Sequence, residues 1–316
     1  MMMHVNVSSL GTAGLILSQD RVRIGLDESV YLRALRRGEL VRIRRGAYCD
    51  AREWDELSSR ARYLLRMRAV AASSSRPIVF CGLSAAAIWR MPVPDDWPQQ
   101  VHILAPSARG GRSRHGVIRH PVAETVGQVV ERDGFLITGI ARTALDVALA
   151  APFAQAVGSM DWALWRKNPV RVSKEDIRAE LARLAPRYRR KHAEAVIDFA
   201  TDLSDSFGES MARAVIHELG FPDPELQVVF TDSQGEMEVD YFWRREDVAG
   251  EFDGKSKYLR PSFQTELEPG ERAWREKKRE DRLRRQVAGV VRIITAEVMN
   301  PPRLVALLEG AGLRRG

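Results

Sequence analysis

Only Cys49 and Cys81 occur among the 316 residues, with no CxxC pair, and the six histidines (His4, His102, His115, His120, His192, His217) show no zinc-ligand spacing. A structural zinc site, which needs closely spaced Cys or His ligands, drops out of the reading. No glycine-rich phosphate loop of the GxxxxGKS/T or GxGxxG kind is present, which argues against a nucleotide-driven machine. The opening MMMHVNVSSLGTAG lacks a basic stretch followed by an apolar one, and no uninterrupted apolar run approaches a membrane span. The expectation is a soluble, cytoplasmic protein with no membrane partner.

What is present is charge with a basic excess. Lys+Arg number 49 against 42 Asp+Glu, a formal net charge of +7, and such a balance favours a polyanionic partner. Hydrophobic content of 45% and charged content of 29% are globular values. The length suits two or three domains.

The segment ILSQDRVRIGLDESVYLRALRRGELVRIRRGAYCD predicts a helix over 16–24 stopped by Gly25, an N-cap at Asp27, and a second helix over 28–37 ended by Gly38. ELVRIRRGAY then alternates Leu40, Ile43 and Tyr48 with arginines around a Gly46 turn, a small hairpin. Helix, tight turn, helix and basic hairpin is the order of a winged helix-turn-helix, whose second helix enters the major groove while the wing grips phosphates. Val30, Ala34 and Leu35 are expected to face inward. Ser29, Arg33, Arg36 and Arg37 then face outward, and Arg42, Arg44 and Arg45 decorate the wing. Six arginines between 33 and 45 repel one another unless a polyanion neutralises them, so double-stranded DNA is the expected partner of this face.

Residues 56–170 read as a mixed unit: a helix in ELSSRARYLLRMRAVAASSS, strands in PIVFCG and QQVHILAP, a small-residue helix in LSAAAIWRM, and strand, turn and helix in FLITGIARTALDVALAA. The loop SARGGRSRHG offers Arg109, Arg112 and Arg114 to phosphate. Ser84, His102, Arg142 and Asp146 include catalytic residue types, but nothing in their spacing brings them together, and Asp146 reads as a capping or ion-pair residue. A polar helical connection over 171–205 is broken at Pro186.

The last unit, 206–316, starts at Glu209 with an amphipathic helix and runs through LQVVF, MEVDYFW and VAGEFDG as a meander. Residues two apart share a strand face, so Glu251 and Asp253 point the same way. With Asp240 on the neighbouring strand, three carboxylates converge, an arrangement that repels unless a divalent cation or a lysine neutralises it. The helix ERAWREKKREDRLRRQ carries eight basic and four acidic residues, a surplus suited to tracking phosphates. GVVRIITAEV is the closing strand.

Here two resemblances enter. VDYFW, GEFDGKSKY, EKKREDRLR and GVVRI, in that order, look like the restriction-endonuclease fold of the PD-(D/E)XK superfamily, in the branch related to very-short-patch-repair endonucleases. LRALRRGELVRIRRGAY, with GLSAAAIW and ITGIARTALDVAL, resembles AbiEi-type antitoxins of type IV toxin–antitoxin systems. The fold class these imply is a multidomain α+β or α/β protein: winged helix over 1–55, AbiEi-like α/β domain over 56–170, helical connection over 171–205, and restriction-endonuclease-like domain over 206–316. The first resemblance implies magnesium held by Asp240 and Glu251 with Asp253, Glu209 as an outer acid, and a catalytic lysine two residues after the Glu. That position is Asp253 here, so Lys255 or Lys257, or else Lys277 or Lys278, is left to take the lysine's place. The second implies a transcriptional regulator with a cognate toxin as a further partner. Two activities stay open: a DNA-binding regulator with a silent nuclease fold, or a magnesium-dependent DNA endonuclease aimed by its N-terminal module.

Overall fold

The computed structural model describes residues 14–18, 29–93, 97–106, 115–122, 127–184, 189–254 and 269–316. The expected helix over 19–24, the Asp27 cap, the loop residues Arg109, Arg112 and Arg114, Pro186, Lys255 and the catalytic candidate Lys257 lie outside the described residues. The chain is a mixed α/β protein of two compact units, Met1–Val147 with Asp176–Arg187 and Ala148–Glu175 with Tyr188–Gly316. Among the described residues, no helix is long and apolar enough to cross a membrane.

In chain order the elements begin β1 (Ile16–Leu17), α1 (Ser29–Arg36), β2 (Leu40–Arg44), β3 (Ala47–Asp50), α2 (Ala51–Glu56), α3 (Ser59–Ala72), β4 (Val79–Phe80) and α4 (Gly82–Trp89). They continue β5 (Val101–Pro106), β6 (Val117–Val122), β7 (Val129–Arg132), β8 (Phe135–Thr138) and α5 (Ile140–Ala150). Next come α6 (Phe153–Leu164), α7 (Lys174–Arg183), which falls mostly in the first unit, α8 (Arg190–Phe199) and α9 (Phe207–Glu218). The chain closes with β9 (Glu225–Asp232), β10 (Gly235–Trp243), β11 (Val248–Asp253), α10 (Pro269–Leu283), β12 (Gly289–Ile294), α11 (Thr295–Val298) and α12 (Pro301–Gly310).

In the first unit a small sheet in the order β1-β3-β2 carries the expected hairpin, turning at Gly46 with φ +77°. Ile16 and Leu17, expected in a helix, are a strand instead, paired antiparallel with Tyr48 and Ala47. The partner strand, not any local period, decides so short a pairing. On α1 the inward residues are Tyr31 and Ala34, while Val30, expected inside, is 37% exposed. Stacking of Tyr31 on Tyr48, with ring centroids 4.9 Å apart, buries the larger side chain and turns Val30 outward. Leu15, Ala47, Cys49, Leu65 and Ala69 form the core beneath. Burial there pushes the Cys49 thiol up to about 11, leaving it an inert packing residue. A five-stranded sheet in the order β6-β5-β4-β8-β7 follows, with β5–β6 and β4–β8 parallel and the other pairs antiparallel.

The second unit centres on a four-stranded sheet in the order β12-β11-β10-β9, an antiparallel meander with β12 added parallel to β11. Both faces are covered. Ile216, Tyr241, Trp243, Phe252, Ile293 and Leu304 pack between the sheet and α9 and α12, while Met237, Val239, Phe242 and Ala249 pack with Leu283 of α10 on the other side. A Cβ on Gly208 would run into the Phe252 ring, so glycine lets α9 lie close against β11. Val229 of β9 is 47% exposed. Strand alternation allows only one of Val228 and Val229 to face inward, and Val228 does. The expected boundary at 205/206 falls inside this unit, which also takes in α6 and α8. There Asp161 of α6 pairs with Arg213 of α9 at 3.0 Å, and Trp165 donates its indole N–H to Asp205.

Candidate functional site

α1 and the β2–β3 hairpin present their arginines as the helical and strand periods require. Arg33, Arg36, Arg37, Arg42 and Arg45 are exposed, while Ser29 and Arg44 are half-buried. Arg37 is paired with Glu39 at 2.7 Å. Arg33, Arg36, Arg42 and Arg45 engage no carboxylate among the described residues. Leu32, next to Arg33 and one turn before Arg36, is 48% exposed, so the outward face is cationic with an apolar element at its edge. Partial burial, and next the neighbouring Arg119 guanidinium, hold Arg44 below the ordinary arginine value. Arg119 is an exposed residue of β6 that the expectation did not include.

The expected acidic site is arranged differently from its anticipation. Glu209 is 2% exposed and helps close the start of α9: its carboxylate accepts from Asp205 N–H (2.9 Å) and Ser206 Oγ (2.8 Å), while the N-cap Ser206 Oγ accepts from Glu209 N–H (3.2 Å). Glu209, expected as an outer catalytic acid, is engaged at the start of α9 in this way. Asp240 Oδ2 accepts from Phe252 N–H at 2.8 Å, taking a backbone donor next to the last β10–β11 pair, Tyr241 with Gly250. The alternation of β10 slips there. Met237 and Val239 pack with Phe242 on the α10 face, but Tyr241 and Trp243 pack on the α9 face, and Gln227 across the pairing has φ +53°. Local irregularities of this kind re-aim side chains at strand ends.

Glu251 and Asp253 do share a face, that of α10, but the face is cationic. Arg279 of α10 hydrogen-bonds Glu251 Oε1, and Arg292, opposite Glu251 on β12, lies 3.8 Å from Oε2 and 3.1 Å from Glu280. The Asp253 carboxylate makes no hydrogen bond or ion pair among the described residues. The expected magnesium site of Asp240, Glu251 and Asp253 has this geometry: no group of three His, Cys, Asp or Glu side chains among the described residues is placed to hold a metal ion. Magnesium needs open anionic oxygens, whereas Glu251 is already met by guanidinium. As placed, these residues do not fit the ion.

The basic residues of α10 sort by direction. Arg282 forms a two-pronged pair with Asp232 (2.6 and 2.8 Å) and also donates to Gly235 O, so with Arg279 it fastens the helix to the strands. Arg275 and Arg284 pair along the helix with Glu271 and Glu280. Lys277 and Lys278 are exposed and make no ion pair among the described residues.

Two polar clusters had no local signal. The buried Asp161–Arg213 pair joins residues 52 apart in sequence, with Thr201 N–H also donating to Asp161 at 2.7 Å and Arg213 lying 4.0 Å over the Phe199 ring. In the first unit Ser84 Oγ meets Tyr63 Oη (2.7 Å) and accepts from His102 N–H (2.8 Å), and the His102 and His120 rings stack with Nδ1 and Nε2 3.0 Å apart. Asp146 accepts from Gly82 N–H and pairs with Arg142 at 2.8 Å. Parallel pairing of β5 with β6 brings the two histidines together, although their spacing of eighteen residues gave no hint of it.

No family model matches the chain. It is similar to two uncharacterized proteins of Mycobacterium tuberculosis, Rv2248 and, from another strain, MT2308. Each is 29% identical over 230 residues, covering 72% of this chain and 79% of its own length. Among solved structures the chain is similar to the RV2827C protein of Mycobacterium tuberculosis, with TM-score 0.39 and 18% identity, over 58% of this chain and 71% of that one.

Proposed function

We propose that the chain is a DNA-binding transcriptional regulator of the cytoplasm. Its N-terminal segment acts as a winged helix-turn-helix, and its second unit has a restriction-endonuclease-like fold that serves for binding rather than cutting. The observation that carries this reading is the set of four exposed arginines, Arg33, Arg36, Arg42 and Arg45, which no carboxylate neutralises among the described residues. Like charges held on one helix and its adjoining hairpin are costly unless a polyanion meets them, and phosphate does so with release of counterions. Arg33 and Arg36 sit on the helix that would enter the groove, and Arg42 and Arg45 on the wing. The order α9, β9, β10, β11, α10, β12, with β12 parallel to β11, supports the nuclease-like fold of the second unit. The engagement of Glu251 by Arg279 supports its silence. On this reading a cognate toxin is the second partner, as the AbiEi resemblance implies.

The test is duplex affinity across a salt series. Arg33→Ala/Arg36→Ala weakens binding by about 1–3 kcal/mol for each base edge that is no longer read, whereas Arg42→Ala/Arg45→Ala mainly flattens the slope of log K against log salt, by about 0.9 per phosphate. Unchanged affinity and slope in both variants would remove the winged-helix reading. The competing reading, a magnesium-dependent endonuclease, needs Glu251 released from Arg279; metal-dependent nicking by the parent that disappears in Glu251→Gln would establish it.

A further inference from the structure

We propose that α10 carries a second nucleic-acid binding surface, specific for unpaired bases, built on Trp274 with Lys277 and Lys278. It shares the class of partner with the reading above but none of its residues. Trp274 is 55% exposed, the most exposed tryptophan among the described residues. The helix is held to the sheet through Arg279 and Arg282, and it leaves this large aromatic in water beside exposed lysines. Lys278, one turn on, places its ammonium 3.7 Å from the Trp274 ring centroid, and Lys277 stands exposed beside it. At 100° per residue, positions 274, 277, 278 and 281 fall within one stripe of the helix. Asp281 is the acid of that stripe, against two lysines.

The stripe is cationic because the sequence divides its basic residues between two tasks. Arg279 and Arg282 turn inward and are neutralised by Glu251 and Asp232, fastening α10 to β11 and the β9–β10 hairpin. The outward lysines have no such carboxylate among the described residues. A helix presenting a half-exposed indole with an ammonium at its ring and a second exposed lysine on the same stripe is the kind of arrangement that binds single strands: bases stack on the ring and cations follow the backbone. Duplex DNA keeps its base faces stacked internally and has no face to offer an indole, so charge and aromatic together point to unpaired nucleic acid.

The experiment uses the full chain with three probes: labelled oligo(dT), a duplex of equal length, and a poly-glutamate peptide. Lys277→Gln/Lys278→Gln lowers the slope of log K against log salt for oligo(dT) by about 1.4, at roughly 0.7 per phosphate. Trp274→Ala weakens oligo(dT) binding by about tenfold, and Trp274→Phe restores most of it, because stacking needs a ring and not an indole N–H. Arg33→Ala/Arg36→Ala lowers duplex affinity but leaves the Trp274 dependence on oligo(dT) in place. Failure of that variant and of Arg42→Ala/Arg45→Ala to affect duplex binding overturns the winged-helix reading alone. Oligo(dT) binding that is indifferent to both the lysine and the tryptophan variants overturns this inference alone. Poly-glutamate bound with the same Trp274 dependence while oligo(dT) is not bound also overturns it, assigning the stripe to an acidic protein.

Discussion

The arginines of α1 and its hairpin and those of α10 are equally dense along the chain, yet they have opposite surroundings. Arg33, Arg36, Arg42 and Arg45 face solvent with no acid beside them among the described residues, while Arg279 and Arg282 lie against a sheet and each holds a carboxylate. A guanidinium of the first kind contributes little to stability and is available to a ligand. One of the second kind fastens two elements together and is available to nothing else. The same residue type therefore separates into binding and holding roles by direction alone, and stability measurements can tell them apart.

The contrast should be greatest at the deepest charge of the second unit. Asp161→Ala leaves Arg213, 7% exposed in its side chain, buried without its anion and Thr201 N–H without its acceptor. Removing one partner of a buried pair costs about 3–5 kcal/mol, and chemical denaturation should show a loss of that size. A loss below about 1 kcal/mol, the range of exposed pairs, would mean that water reaches the site and would blur the distinction between holding and binding charges.

The first unit has an internal charge problem of its own, and pH exposes it. Burial first, and the His120 ring second, press His102 down from 6.5 to about 4, so the folded chain keeps this imidazole neutral. The ring's hydrogen-bond partner is His120, and no carboxylate is paired to it among the hydrogen bonds of the described residues. The sign follows from proton counting: between pH 6.5 and 4 the unfolded chain binds the proton and the folded chain does not, so stability is full above 6.5 and falls as pH drops. A gap of that size, at 1.36 kcal/mol per unit, corresponds to about 3 kcal/mol. His102→Gln should flatten this acid limb; an unchanged limb would assign it to other groups.

Much of this arrangement was legible in the sequence, in proportion to how local it is. α1, the Gly46 turn, the meander and the order of α9, α10 and β12 follow from helical and strand periods with their turn residues, and all form where expected. Contacts between distant segments had no such signal. The Ile16–Leu17 strand is decided by β3, the inward turn of Tyr31 by Tyr48, and the Asp161–Arg213 pair by the packing of α6 on α9. The carboxylates show the limit most clearly. Alternation correctly put Glu251 and Asp253 on one face, but what fills that face comes from Arg279 and Arg292, 28 and 41 residues further on. The sequence shows which charges gather on a face, whereas their neutralising partners depend on which helix covers it.

Glu251→Gln tests that limit at intermediate size. Replacing the carboxylate leaves Arg279 and Arg292 facing an amide, so stability should fall by about 1–3 kcal/mol, and magnesium should not raise the melting temperature of either protein. A magnesium site would give the reverse signs: magnesium would stabilise the parent, and the amide would relieve repulsion in the metal-free protein.

The smallest expected effect is the one that completes the contrast. Arg33→Ala/Arg36→Ala removes two exposed guanidiniums that hold no carboxylate among the described residues, so the free energy of unfolding should stay within about 0.5 kcal/mol of the parent. A slight gain is the more natural direction, because Arg33 and Arg36, one turn apart on α1, repel each other. Unfolding in the absence of nucleic acid should therefore barely register the change, while duplex binding by the same preparation weakens. A loss above about 1 kcal/mol in the free protein would show that these arginines are held by the fold after all, which would erase the difference between α1 and α10 and remove the principal reason for assigning DNA to the N-terminal face.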